Sequence, residues 1–169
     1  MHKEQLFGVA SILKPRKPVQ PMKRISLILI FTQLLLMTAN AQSPEIPGKH
    51  HWKHRILLVF SEAPADAQLQ QQSSIIAANQ EGMKDRHMVV YRIYQASVKG
   101  PDNTEYGAEG AKKLRNQYGI QPGAFAVVLI GKDGGEKHRQ TQAISADALF
   151  AIIDAMPMRK SEMRRQNRN

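Results

Sequence analysis

Apolar residues fall along this domain in three strand-like runs and at helical spacing in three other stretches. Arg55 to Ser61 (RILLVFS) is almost continuously apolar, the pattern of a strand covered on both faces. From about Pro64 to Glu81, Leu69 and Ile76 recur at seven-residue spacing, extended by Met83, and predict an amphipathic helix that Pro64 opens and Gly82 stops. His87 to Tyr94 is rich in strand formers, and Lys99 to Asn103 is a loop by its Gly-Pro-Asp-Asn content. A second helix is predicted from about Glu105 to Tyr118, with Ala111, Leu114 and Tyr118 on one stripe and Gly119 at its end. Ala124 to Ile130 is a third buried strand, Lys132-Asp133-Gly134-Gly135 a tight hairpin turn, and Glu136 to Gln142 a polar edge strand. Ser145 caps a last helix carrying Leu149, Ile152, Ile153 and Met156 inward, and Pro157 halts it.

The order β-α-β-α-β-β-α predicts an α/β, three-layer fold. Two parallel strands are joined by a right-handed crossover, an antiparallel hairpin closes the sheet, and helices cover both faces. That order is similar to the thioredoxin core. Tyr118-Gly119-Ile120, the apolar strand after it, Lys132-Asp133-Gly134 and the final helix resemble the C-terminal half of a thioredoxin.

Ahead of this domain stand Met22-Lys23-Arg24, an apolar run from Ile25 to Met37, and Ala39-Asn40-Ala41, the three parts of a cleavable signal peptide over 22–41. Its apolar run is shorter than a comfortable membrane span of about 20 residues; retention as an uncleaved anchor is the alternative. Residues 1–21, with Pro15, Pro18 and Pro21, are expected to be an unstructured leader or an extension upstream of a true start at Met22. Residues 42–51 (QSPEIPGKHH) are expected to form a flexible leader, 52–158 the folded domain and 159–169 a basic tail.

The formal charge of +10 is unevenly spread. Part of it leaves with the signal segment, and Arg159, Lys160, Arg164, Arg165 and Arg168 face only Glu162 in the tail, so the body is nearly neutral. That distribution argues against a nucleic-acid-binding face. It leaves a solvated tail, or one that docks on anionic lipid, glycan or an acidic partner.

Three segments carry a closer likeness: Trp52 to Leu58 (WKHRILL), Leu129 to Lys137 (LIGKDGGEK), and Ile153 to Arg159 (IDAMPMR) with Glu162-Met163. On these the chain resembles the prokaryotic DUDES group of secreted domains of unknown function. That group is thioredoxin-like and peroxiredoxin-related, and akin to domains of vertebrate matrix proteins of the coiled-coil-domain and sushi-repeat type. The resemblance spans about Trp52 to Arg165 and implies a fold and an exported location, periplasmic or secreted, but no proven activity; no cofactor is expected.

No cysteine occurs in the chain. Thiol–disulfide exchange and thiol-based peroxide reduction both need a thiolate, so thiol oxidoreductase and peroxidase activities are excluded. Where a thioredoxin keeps its cysteines the chain reads Ser61-Glu62-Ala63-Pro64-Ala65-Asp66, and no proline directly precedes the third strand. Ser61 and Glu62 are weighed as general-acid groups against an ordinary helix-start loop, and no G-x-S-x-G elbow or phosphate-cradling loop is present. His50, His51 and His54 have spacings that suit one metal on a helix, but they precede a strand beside Lys53.

In this topology the third strand runs antiparallel to the first. The Lys132–Gly135 hairpin, the start of the second strand and the end of the last helix should therefore converge at one pole. Trp52, Arg55, Arg86, Lys132, Asp133, Lys137, Arg139 and Arg159 are expected there. The pole is either a partner- or anion-binding surface, with cations around an indole, or a salt-bridge knot. In the knot Asp133, Asp154 and Glu162 neutralise Arg55, Arg86 and Arg159, and Trp52 lids the core. The expected function is an exported, non-catalytic module binding an envelope or extracellular protein, glycan or lipid. The alternatives are a thiol-independent enzyme, metal binding through His50–His54, and attachment through the tail.

Overall fold

A computed structural model describes residues 45–46 and 48–168. The signal-peptide reading of 22–41 and the reading of 1–21 lie outside the described residues. The chain builds a six-stranded sheet in the order β4-β3-β2-β1-β5-β6. Its strands are β1 (Arg55–Phe60), β2 (Met88–Ile93), β3 (Ser97–Lys99), β4 (Glu105–Gly107), β5 (Ala126–Ile130) and β6 (Glu136–Gln140). β1 pairs parallel to β2 and antiparallel to β5, and β5 pairs antiparallel to β6. This is the expected mixed sheet.

Every residue of β1 and β5 is buried, because both faces are covered. Ile56, Leu58 and Phe60 pack with Val128 and Ile130 under α3 (Ala108–Tyr118), through its Ala111, Leu114 and Tyr118. Leu57, Val59, Val127 and Leu129 face the opposite layer. It is made of α1 (Ala67–Ala78), α2 (Gln80–Asp85) and α4 (Ala146–Asp154), which supply Leu69, Ile76, Met83, Leu149 and Ile153. Full burial of a Leu or Ile stabilises by about 2 kcal/mol, so the alternation in β1 drives both layers together.

Several elements differ from the sequence expectation. The first helix opens three residues after Pro64, where the Asp66 carboxylate accepts from the Leu69 N–H at 3.0 Å. It breaks at Asn79 and resumes as α2, running through Gly82. Gly82 is no stop: a Cβ there would lie 2.6 Å from the Phe150 ring, so the glycine admits α4. The loop at 99–103 is the turn of a β3–β4 hairpin that widens the sheet beyond β2. Three-residue strands are too short to show a period, and Val98 is the only fully buried residue among them.

Pro157 does not merely end α4; it opens α5 (Pro157–Gln166) at its first turn, where a missing N–H costs nothing. Arg159 of that helix is 2% exposed. No described helix is long and apolar enough to cross a membrane.

Candidate functional site

The strand registers bring the starts of β1 and β2, the end of β5 and the N-terminal part of α5 to one pole. Ile56 faces Ile130, Arg55 faces Met88, and the Trp52 N–H donates to the Lys132 carbonyl at 2.7 Å. Arg55, 1% exposed, sits at its centre. Its guanidinium donates to the Arg86 carbonyl at 2.8 Å and to both Glu162 oxygens at 3.1 and 3.3 Å. Lys132 Nζ adds a third bond to Glu162, at 2.8 Å. Burial alone would raise the Glu162 carboxyl; hydrogen bonds from Lys132 and Arg55 outweigh it and hold the group below its ordinary range.

A second cluster lies beside the first. Asp154 accepts from Arg86 at 2.5 Å and from Arg159 at 3.1 Å, and Arg159 also pairs with Asp85. Burial opposes ionisation of Asp154, but its two arginines prevail and lower its pKa. Arg55, Arg86, Lys132 and Arg159 are thus knotted with Glu162, Asp154 and Asp85. Asp133 takes no part in that knot; it pairs with Lys137 at 2.6 Å on the hairpin. Arg139 is not at this pole. It sits opposite Val128, bonds Glu136, and donates to the Tyr118 carbonyl at 2.6 Å at the other end of the sheet.

Trp52 is no lid on the core: it is 61% exposed. Its ring stacks on His51 at 4.6 Å between centroids, and His51 Nε2 donates to the Asp133 carbonyl at 3.2 Å. Trp52 holds φ 63°, and His87, leading into β2, holds φ 50°. Left-handed backbone in such residues costs on the order of 1–3 kcal/mol each and persists only where the surroundings enforce it. Both residues line an open groove of about 370 Å³ with Lys132, Met158, Glu162 and Arg165. His87 Nδ1 lies 2.8 Å from Lys132 Nζ; burial and then the Lys132 charge depress its pKa. His87, at the start of the second strand, and Met158, at the end of the last predicted helix, fall at this pole by topology, and they enter the groove through a strained turn and a helix start.

At the opposite pole the end of β1 is covered, although an open pocket of about 240 Å³ lies beside Arg115, Gln95 and Pro122. Ser61 is fully buried, its hydroxyl donates to the Ala63 carbonyl at 3.0 Å, and its own carbonyl accepts from Arg115 at 2.5 Å. Arg115 also gathers the Ile93, Gln121 and Ala124 carbonyls, so the end of β1, the end of β2 and the loop into β5 are tied by one guanidinium. No described carboxylate pairs with it, and burial lowers its pKa. Sequence reasoning passed over Arg115 because a single arginine on an apolar stripe gives no pattern.

The three histidines do not converge. His50 is buried against the Tyr91 hydroxyl at 2.7 Å and faces His54 Nδ1 at 3.2 Å, whereas His51 turns to the hairpin. Among the described residues no group of three or more His, Cys, Asp or Glu is arranged to hold a metal ion.

Comparison with known proteins bears on this arrangement. A family model described as "Domain of unknown function (DUF4174)" matches residues 47–162. The human sushi repeat-containing protein SRPX is 30% identical over 119 residues, covering 66% of this chain and 25% of SRPX. SRPX2 of Xenopus laevis is 25% identical over 114 residues with the same coverage. The chain thus spans about a quarter of the length of these relatives. Among solved structures, the reduced 2-Cys peroxiredoxin of Plasmodium vivax is similar at a TM-score of 0.52 and 18% identity, covering 68% of this chain and 84% of that one. Thioredoxin peroxidase I of Plasmodium yoelii gives 0.53 and 17%, covering 68% and 79%. These likenesses show a thioredoxin-like fold.

Proposed function

The chain belongs to the DUF4174 family, and from that premise we propose that it is an exported, non-catalytic binding module that recognises a protein of the envelope or extracellular space. The observation that carries this reading is the groove beside Trp52. A lone tryptophan, exposed and braced in a strained backbone, lies at the pole opposite the end where this fold usually keeps its thiols. Aromatic anchors of this kind dominate protein interfaces, and strain of this kind gathers at binding sites. At the other end the sequence supplies no cysteine, and the hydroxyl that follows β1, on Ser61, is fully buried and spent on the Ala63 carbonyl. Export is supported by the Met22–Ala41 signal pattern and by the kinship with sushi-repeat proteins.

A second reading has its own observation. Lys160, Arg164, Arg165 and Arg168 are exposed on α5 or just past its end, and no described carboxylate pairs with them. That ridge would attach the module to anionic lipid or glycan, and its binding would weaken steeply with salt.

In-cell cross-linking and recovery of the full chain separates the two. A discrete partner that is captured by the native chain, lost with Trp52→Ala/Met158→Ala and kept with Lys160→Glu/Arg164→Glu supports the groove. Capture abolished only by the charge reversals supports the ridge. Equal recovery from all forms, or none from any, overturns both.

A further inference from the structure

The groove has the donor set of a monoanion site. Lys132 Nζ is committed to His87 Nδ1 and Glu162 Oε1, both at 2.8 Å, which leaves one of its three protons uncommitted. Because His87 Nδ1 accepts that bond, the neutral imidazole carries its proton on Nε2. Among the described residues Arg165 engages only through its Nε, on the Ser161 carbonyl, and keeps its terminal nitrogens for other acceptors. The one acid lining the groove, Glu162, is already held by Arg55 and Lys132. The knot behind it carries four cations (Arg55, Arg86, Lys132, Arg159) against three carboxylates (Asp85, Asp154, Glu162). The groove therefore has a modest positive surplus, suited to one negative charge.

Its walls are apolar. Trp52 and Met158 are the two large hydrophobic residues exposed among the described ones, and both line it. A ligand that uses both features must carry a carboxylate and an apolar group a few atoms apart. The groove is open along its length, so a free small acid would stay largely in water, whereas a longer chain could continue outward and add contacts. Resting on the binding-module reading, we propose that this groove captures the C-terminal carboxylate of a partner polypeptide. The donors are Lys132, His87 and Arg165, and the partner's apolar last side chain lies between Trp52 and Met158. Capture of a chain-terminal carboxylate is a recurring recognition mode, ordinarily through backbone N–H groups; here side-chain donors take that place.

The test uses the intact protein and a randomised hexapeptide pool tethered by its N-termini, with free C-terminal carboxylates, beside the same pool amidated. The expected result is enrichment of free acids ending in a large apolar residue, with about a tenfold loss on amidation. Trp52 is the only tryptophan, so a recovered peptide should shift the protein's emission directly. Arg165→Ala should weaken the free acid about tenfold and leave the amide unchanged. Met158→Ala should weaken both. Equal retention of acid and amide, enrichment of internal acidic runs, or no enrichment overturns the proposal. So does a heparin-derived tetrasaccharide that shifts Trp52 emission when no peptide does. If cross-linking still captures a partner through Trp52 while the peptide pools fail, the ligand class falls and the binding module stands.

Discussion

Arg55 and Glu162, 107 residues apart in the chain, meet side chain to side chain at 3.1 Å in the interior of one pole. The first residue of the central strand is thereby tied to the last helix. The basic C-terminal segment contributes two partners to the knot, the buried Arg159 and the half-buried Glu162. Glu162→Gln leaves Arg55 and Lys132 buried without their counter-charge, and breaking such a pair costs about 3 kcal/mol. Urea midpoints should fall accordingly, and removal of 159–169 should cost more. A solvated tail would make both changes silent.

Trp52 should behave differently. Its indole is mostly exposed, so little packing is lost on removal, and a glycine accepts φ 63° without strain. Relief of strain and the greater freedom of glycine in the unfolded chain act in opposite directions by about 1 kcal/mol. Trp52→Gly is therefore expected to leave the denaturation midpoint within about 1 kcal/mol of the native protein while partner capture is lost. A large destabilisation would mean that the indole is structural.

The sheet and its two covering layers were legible because β1 and β5 are continuous apolar runs and the helical stripes are regular. Convergence of Trp52, Arg55, Arg86 and Lys132 follows from strand direction, and that of Arg159 from the return of the last helix. What escaped depends on single contacts. Pro157 is compatible with both a stop and a start, and only the pairing of Arg159 with Asp85 and Asp154 makes the following turns a docked helix. Arg139 is expected at the pole, but its side chain is drawn to the Tyr118 carbonyl. The Trp52 backbone carries no residue signature of a left-handed turn, and that of His87 only the weak one that histidine shares with Asn and Asp.

Acid should weaken the fold in two stages. Burial lowers the pKa of both His50 and His87, aided by His54 and Lys132 respectively. The folded state thus favours the neutral rings. Their contribution is full above the unfolded value of about 6.5 and is lost as pH falls below it toward the folded values. Glu162 and Asp154, both depressed, hold their contribution until pH falls below about 4 and through their folded pKa values. Tyr91, raised to about 12, adds a loss on the alkaline side, as pH climbs above 10. Urea midpoints across this range should show a decline beginning near neutrality, with a shallower first stage in His50→Gln. A midpoint that rises between about pH 7 and 5.5 would show the histidines to be charged in the fold.

Gly82 lies inside a helix and against the Phe150 ring. By propensity alone, Gly82→Ala in α2 should stabilise by about 1 kcal/mol. Here the added methyl would stand 2.6 Å from Phe150 Cε2 and 2.7 Å from Cζ, and that ring also carries the Arg86 guanidinium 4.1 Å from its centroid. Displacing the ring disturbs the contact between α2 and α4 and the Arg86–Asp154 pair behind it. Overpacking of this kind costs about 1–3 kcal/mol, so the net effect should be destabilising. Phe150→Leu clears the space, and in that background Gly82→Ala should become neutral or stabilising. The pair would then show a coupling of about 1–2 kcal/mol in a double-mutant cycle. Additive effects would mean that Gly82 is not there to admit Phe150.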